Sequence, residues 1–225
     1  MFYLLKLAVG ALMAFTVFPV RQFARNWMAV KLGDDTPVRE GKLTLNPLAH
    51  TDPIGLLAMI LIGFGWGRSA SINPNNFKCR NKKLGMIAVS LAGPVANLLF
   101  ALVTMLIIVL GPRFGMSSTF VTVFEYIMLL NVRLAVFLLL PVPGFDGGDI
   151  LMMFLPPEFV WRIIGYMQII QLAVLLLLFV GPLGSLVDFI SGWIINLMYM
   201  LVTLVSGGAG TGTLMQCIAS AAGIF

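Results

Sequence analysis

Charge is scarce in this chain. Only 10% of its 225 residues are Asp, Glu, Lys or Arg, while 60% are apolar. Soluble domains are nearer a quarter charged and under half apolar. A water-soluble fold of this length cannot hide so much apolar surface, so the composition demands a bilayer as solvent. Cysteine occurs twice, as Cys79 and Cys217, far apart and in no CxxC pair. That argues against a disulfide framework and against a thiolate metal site. Histidine occurs once, at His50. No basic run with interleaved aromatics lies outside the apolar stretches, so the formal charge of +5 does not point to nucleic acid. No fixed-period repeat and no inverted pair of halves is visible, which weighs against a small-solute transporter.

What is present is a series of long apolar runs. A spanning helix needs about 20 residues. Five runs qualify, at roughly 2–30, 84–110, 119–140, 159–180 and 183–205. Gly111-Pro112 and Gly181-Pro182 punctuate neighbouring runs as turn signals. The first run has neither a basic leader nor a small-residue cleavage site, and reads as a retained span. The expected fold is an all-α integral membrane protein, a polytopic helical bundle. Residues 1–205 form its membrane domain, and 206–225 are a tail rich in small residues.

A shorter run, Ile54–Trp66, contains Gly55, Gly63 and Gly65. At this length a re-entrant segment is favoured over a span. Basic residues gather on the cytoplasmic side of membrane proteins. If 54–66 returns to its starting side, Lys31, Arg39, Lys42, Arg68, Lys78, Arg80, Lys82 and Lys83 all share that side. Only Lys6 and Arg113 then face the other way. The reading is therefore five spans plus a re-entrant Gly-rich segment at 54–72. The N-terminus is expected outside, with 31–83 and the C-terminus cytoplasmic.

Three segments are more specific than hydropathy. They are Leu43-Thr44-Leu45-Asn46-Pro47 continuing through His50, Asp52-Pro53 and Gly55; Gly93-Pro94-Val95-Ala96-Asn97; and Asn131 through Pro141-Val142-Pro143-Gly144-Phe145-Asp146-Gly147. Together they resemble the short bacterial branch of the site-2 protease family, intramembrane zinc metalloproteases. The resemblance covers about residues 15–155. It implies a first core helix carrying H-E-x-x-H, where two His at i and i+4 share a helix face and one zinc. The Glu between them would be general base on the zinc-bound water. The third ligand position corresponds to Asp146.

The matching stretch here reads Arg21-Gln22-Phe23-Ala24-Arg25. Arg offers a metal no lone pair and stays protonated. Gln22 stands at the general-base position and cannot take up a proton as Glu does. Asp146 is the surviving ligand position, and Arg21 and Arg25 are degenerate ones. The expected substitute is an ion pair between Asp146 and one or both arginines, against the plainer alternative of arginines snorkelling to headgroups. The resemblance also places His50, Asn97 and Asn131 along the site. Asp149 reads as a helix cap.

The function expected is that of a catalytically inactive homologue that binds a membrane-protein partner or peptide. No cofactor is expected, although active relatives carry zinc. One alternative is a functional intramembrane protease seen as an inactivated variant. Gln for Glu suits that idea, but Arg for His does not, because it would crowd and charge the site. A small-solute membrane transporter is the second alternative. The partners expected are the lipid bilayer and a transmembrane or juxtamembrane protein, with no nucleic acid. The location expected is a bacterial cell membrane.

Overall fold

The computed structural model describes residues 2–62 and 67–205; within helices, side chains are described from Val17 onward, apart from 58–62, 168, 175, 179, 180 and 205. Among these residues every regular element is helical and there is no strand. The expected tail at 206–225 lies outside the described residues.

The first helix, α1 (Phe2–Leu32), runs 31 residues through Pro19. It ends on Gly33, whose φ of 108° is open to glycine. The Gly33 and Asp34 amides close onto Val30 and Ala29 carbonyls, each at 3.0 Å, which satisfies the last turn. Two single turns follow, α2 (Thr36–Arg39) and α3 (Pro47–His50). The Asn46 side chain caps the second of these by accepting from the Leu48 amide at 3.1 Å. Asp52 caps α4 (Pro53–Ile62) by accepting from the Ile54 and Gly55 amides. Asn81 caps α5 (Lys82–Leu110), and α6 is Ser118–Leu138. Then come α7 (Asp146–Met152), α8 (Pro157–Gly165), α9 (Met167–Val180) and α10 (Pro182–Val205).

Among the described residues, Lys82–Phe114, Ser118–Leu138 and Pro182–Leu204 are long and apolar enough to cross a membrane. The expected fourth span at 159–180 is not one straight helix. It is α8 and α9, bent by 67°. Tyr166 between them sits at φ −106° and ψ 7°, outside helical geometry, after a glycine at 165. Hydropathy averages over such a break and cannot register it. At 14 residues α9 is about 21 Å long, too short for a hydrocarbon core of about 30 Å.

The packing fixes the direction of each helix. Ala29 near the end of α1 clusters with Met86 and Val89 near the start of α5, so these helices run antiparallel. Late α5 (Ile108, Val109) meets early α6 (Val121) and late α10 (Met198, Val202) in one cluster. Early α10 (Val187) joins late α6 (Leu134, Phe137, Leu138) in another. An ion pair, Arg133 to Asp188, spans the same helices, with Nε to Oδ1 at 2.5 Å. Thus α10 is antiparallel to α6, and Val205 leaves the bundle at the Gly111–Ser117 end. That is opposite to the end where 31–83 lies; the C-terminus itself, expected on the cytoplasmic side, lies outside the described residues. The α8–α9 pair therefore begins and finishes towards the basic end.

The segment around α4 behaves as a loop whose two feet touch. The Arg68 amide donates to the His50 carbonyl at 2.7 Å. Gly67 lies so close that a Cβ would come within 2.8 Å of that oxygen. With only 10 helical residues in α4, the chain goes out and comes back. Residues 63–66 lie outside the described residues.

Asp34 ties this return to α1. Its fully buried carboxylate accepts from the Asn73 amide at 2.7 Å, from Asn76 Nδ2 at 2.8 Å, and from the Thr36 hydroxyl and amide. Burial alone would raise its pKa, but these four hydrogen bonds outweigh burial and hold the carboxyl below its ordinary value. A depressed folded-state value means the stabilisation is fully present above the unfolded-state value near pH 4 and disappears as pH falls through the lower folded one. Asp34→Ala is expected to cost about 1–3 kcal/mol at neutral pH, because buried amides lose their acceptor. Thermal melts in detergent against pH should show the wild type losing its advantage over the variant only below about pH 4. An advantage that grows on acidification would contradict the assignment.

Candidate functional site: a buried ion cluster

Arg21 and Arg25 are four apart on α1 and so project from one face. Asp146 is the first residue of α7, where helix N-terminal polarity favours a carboxylate. Its two oxygens go to different arginines. Arg21 Nη2 donates to Oδ2, and Arg25 Nη1 donates to Oδ1 at 2.5 Å. Arg25 Nη2 also donates to Asp149 Oδ2. Two cations and two anions thus form a neutral cluster, with Arg21, Arg25 and Asp146 buried.

Three glycines make room for it. A Cβ on Gly93 of α5 would lie 3.1 Å from Arg21 Cγ and 3.5 Å from Asp146 Oδ2. Gly147 and Gly148 let the start of α7 tuck under the preceding turn, where a Cβ would collide with the Leu139 or Val142 carbonyl. The Phe137 and Phe145 rings meet edge to face at 4.7 Å across that turn and hold Asp146 in register.

The remaining expected residues divide. Gln22 is fully buried and faces the returning loop, donating to Ser69 Oγ at 3.0 Å and to the Gly67 carbonyl at 3.3 Å. His50 is buried, but its Nε2 pairs with the Thr44 carbonyl at 2.7 Å rather than with the cluster. Asp52 is taken by its capping role, and Cys79 Sγ contacts the Asn81 carbonyl. Asn97 is buried four residues past Gly93, on the same side of α5. Asn131 donates to its own helix, at the Ile127 carbonyl, 2.7 Å away. No hydrogen bond among the described residues joins either asparagine to the cluster. Asp149 is not the expected cap; it lies inside α7 and pairs with Arg25. Its spacing of three from Asp146, one helix face, was the available signal.

Over 176 residues, 76% of this chain and 79% of the relative, the sequence is 39% identical to a Bacillus subtilis protein named "Putative zinc metalloprotease YwhC". The chain belongs to the site-2 protease family. Two proteins sharing that description, both called Rip2, are also similar. The one from Mycolicibacterium smegmatis is 34% identical over 148 residues, 62% of this chain and 54% of the relative. The one from Mycobacterium tuberculosis is 27% identical over 192 residues, 82% of this chain and 69% of the relative. No family model matches the chain, and no solved structure matches it.

The names of these relatives raise the question of zinc. Structural and catalytic zinc takes Cys, His or carboxylate ligands, at least three from the protein. Among the described residues no group of three or more His, Cys, Asp and Glu could hold a metal. Both oxygens of Asp146 are committed to guanidinium groups that have no lone pair to give. The residues of this site-2 protease homologue do not fit a zinc centre.

Removing one member of a buried ion set strands the others, whereas replacing the whole set by neutral side chains is tolerated far better. Asp146→Asn is expected to lower stability by roughly 3–5 kcal/mol. The fourfold variant Arg21→Met, Arg25→Met, Asp146→Leu, Asp149→Asn should lose less than that single change. Thermal melts in detergent check both, and a single variant as stable as wild type would dismiss the ion cluster as a structural element.

Proposed function

We propose that this chain is a non-catalytic site-2 protease homologue, one that carries an ion cluster where active relatives would bind zinc and uses its scaffold to hold a segment of another membrane protein. The observation that carries this reading is the commitment of both Asp146 oxygens to Arg21 and Arg25. Peptide hydrolysis requires an activated water, generated by a metal ion or a well-placed base. The Gln22 amide is neither, and it is already engaged by Gly67 and Ser69.

The partner surface proposed is the return of the loop, residues 67–73, which has neither helix nor strand. Its backbone is anchored at a few points, by His50 at Arg68, Glu40 at Ser71 and Asp34 at Asn73. An extended segment fixed in this way offers free backbone groups for pairing with an extended peptide. On this reading the protein sits in a bacterial cell membrane with the basic 31–83 face cytoplasmic. The N-terminus and Val205 then both face outward.

An inactivated but otherwise working protease would explain Gln22 alone. It would not explain two arginines, which crowd and charge the ligand positions. The row of polar positions that a transporter needs down its helices is lacking.

Protein purified from membranes without chelator should contain far less than one zinc per chain, against about one in a catalytic site. Its melting temperature should not move on adding a chelator, since no metal contributes to folding. Near-stoichiometric zinc, with a melting point that falls on chelation, would overturn the proposal.

A further inference from the structure

The α8 helix has an apolar arc whose middle, Val160 and Ile163, is half-buried, while Phe159, Trp161 and Ile164 stand exposed among the described residues. At 3.6 residues per turn, Phe159, Ile163, Val160, Ile164 and Trp161 cover one side of its nine residues. Glu158 and Arg162, four apart, lie together on the other side. Phe159 is 54% exposed, Trp161 75% and Ile164 41%. A helix with a wide apolar arc, a charged opposite face and an aromatic at the boundary suits the plane between headgroups and acyl chains.

Its neighbours fix its height. Met153 packs with Phe77, Met86 and Val89 at the foot of α5. Phe154 lies under Lys83, with Nζ 6.0 Å from the ring centroid. So α8 starts three residues after Phe154, which meets the second residue of α5, at the basic end of the bundle. The 67° bend then turns the chain out of the α8 direction into α9. There the Gln171 amide donates to the Pro143 carbonyl at 3.2 Å, just before the Asp146 turn.

The same end is strongly basic. Between residues 67 and 83 stand Arg68, Lys78, Arg80, Lys82 and Lys83 with no acidic residue, and all five are exposed. Arg162 on α8 adds a sixth exposed cation, beside Glu158. Clustered Lys and Arg next to a membrane helix attract anionic lipid headgroups.

We propose that α8 is an in-plane interfacial helix, its exposed Phe159, Trp161 and Ile164 among the lipid chains and Arg162, with the basic foot of α5, on anionic phospholipid headgroups. The contact from α9 to Pro143 links this lipid platform to the turn that positions Asp146. None of this depends on whether the cluster replaces zinc.

The test uses the full chain in vesicles, with Trp27, Trp66 and Trp193 replaced by Phe so that Trp161 alone reports. Lipids brominated near the glycerol end of the chains should quench Trp161 severalfold more than lipids brominated near the chain ends, because interfacial helices bury only about 5–10 Å deep. Raising the phosphatidylglycerol content should deepen the quenching, and Arg162→Glu should weaken that dependence while leaving the melting temperature within a few degrees of the parent. Strongest quenching by chain-end bromines would place Trp161 in a span and overturn the proposal. So would Trp161 emission typical of water with no quenching from either lipid. Equal quenching in zwitterionic and anionic vesicles would overturn its headgroup component.

Discussion

Two guanidinium groups share one carboxylate inside this bundle, and a second carboxylate completes the set. On insertion scales an unpaired charge at the centre of a membrane helix costs roughly 2.5–3.5 kcal/mol. Four such charges on α1 and α7 are tolerable only together. That requirement sets much of the architecture around them. The start of α7 must reach α1, so the 139–145 turn folds back tightly enough to exclude a Cβ at Gly147 and Gly148. Close approach of α5 to Arg21 needs the bare backbone of Gly93. Between membrane helices, where lipid is as apolar as leucine, such small-residue contacts and polar pairs hold the bundle in place of a hydrophobic driving force.

The loop built on α4 depends on the same helix. Gln22, one residue from Arg21, reaches the returning part of the loop, while the Arg68 amide on the His50 carbonyl locks its feet together. At the far end of α1, Asp34 binds the following turn through Asn73 and Asn76. A segment of α1 barely four turns long thus organises both the buried charges and the chain that surrounds them. The residues at the centre, Arg21, Arg25 and Asp146, have the chemistry of a structural lock.

Much of this was legible in the residues. Spacing of four placed Arg21 and Arg25 on one face, and the Asp-Gly element named their partner. The low charge and long apolar runs indicated a helical membrane protein, and the glycines and brevity of 54–66 indicated a returning loop. The second carboxylate, Asp149, was hidden because a helix start cannot be located to within one residue from an Asp-Gly-Gly-Asp stretch. The Arg133–Asp188 pair joins positions 55 apart with no motif to connect them. The bend at Tyr166 escaped because hydropathy sums over composition and ignores direction.

The central claim is that guanidinium groups stand where a metal would be. An experimental structure of the membrane-purified protein, grown with zinc present and measured on both sides of the zinc absorption edge, tests it most directly. The account predicts planar side-chain density joining Arg21 and Arg25 to Asp146, with no anomalous peak between them. An anomalous peak about 2.0–2.2 Å from an Asp146 oxygen, with the arginines turned away, would contradict it.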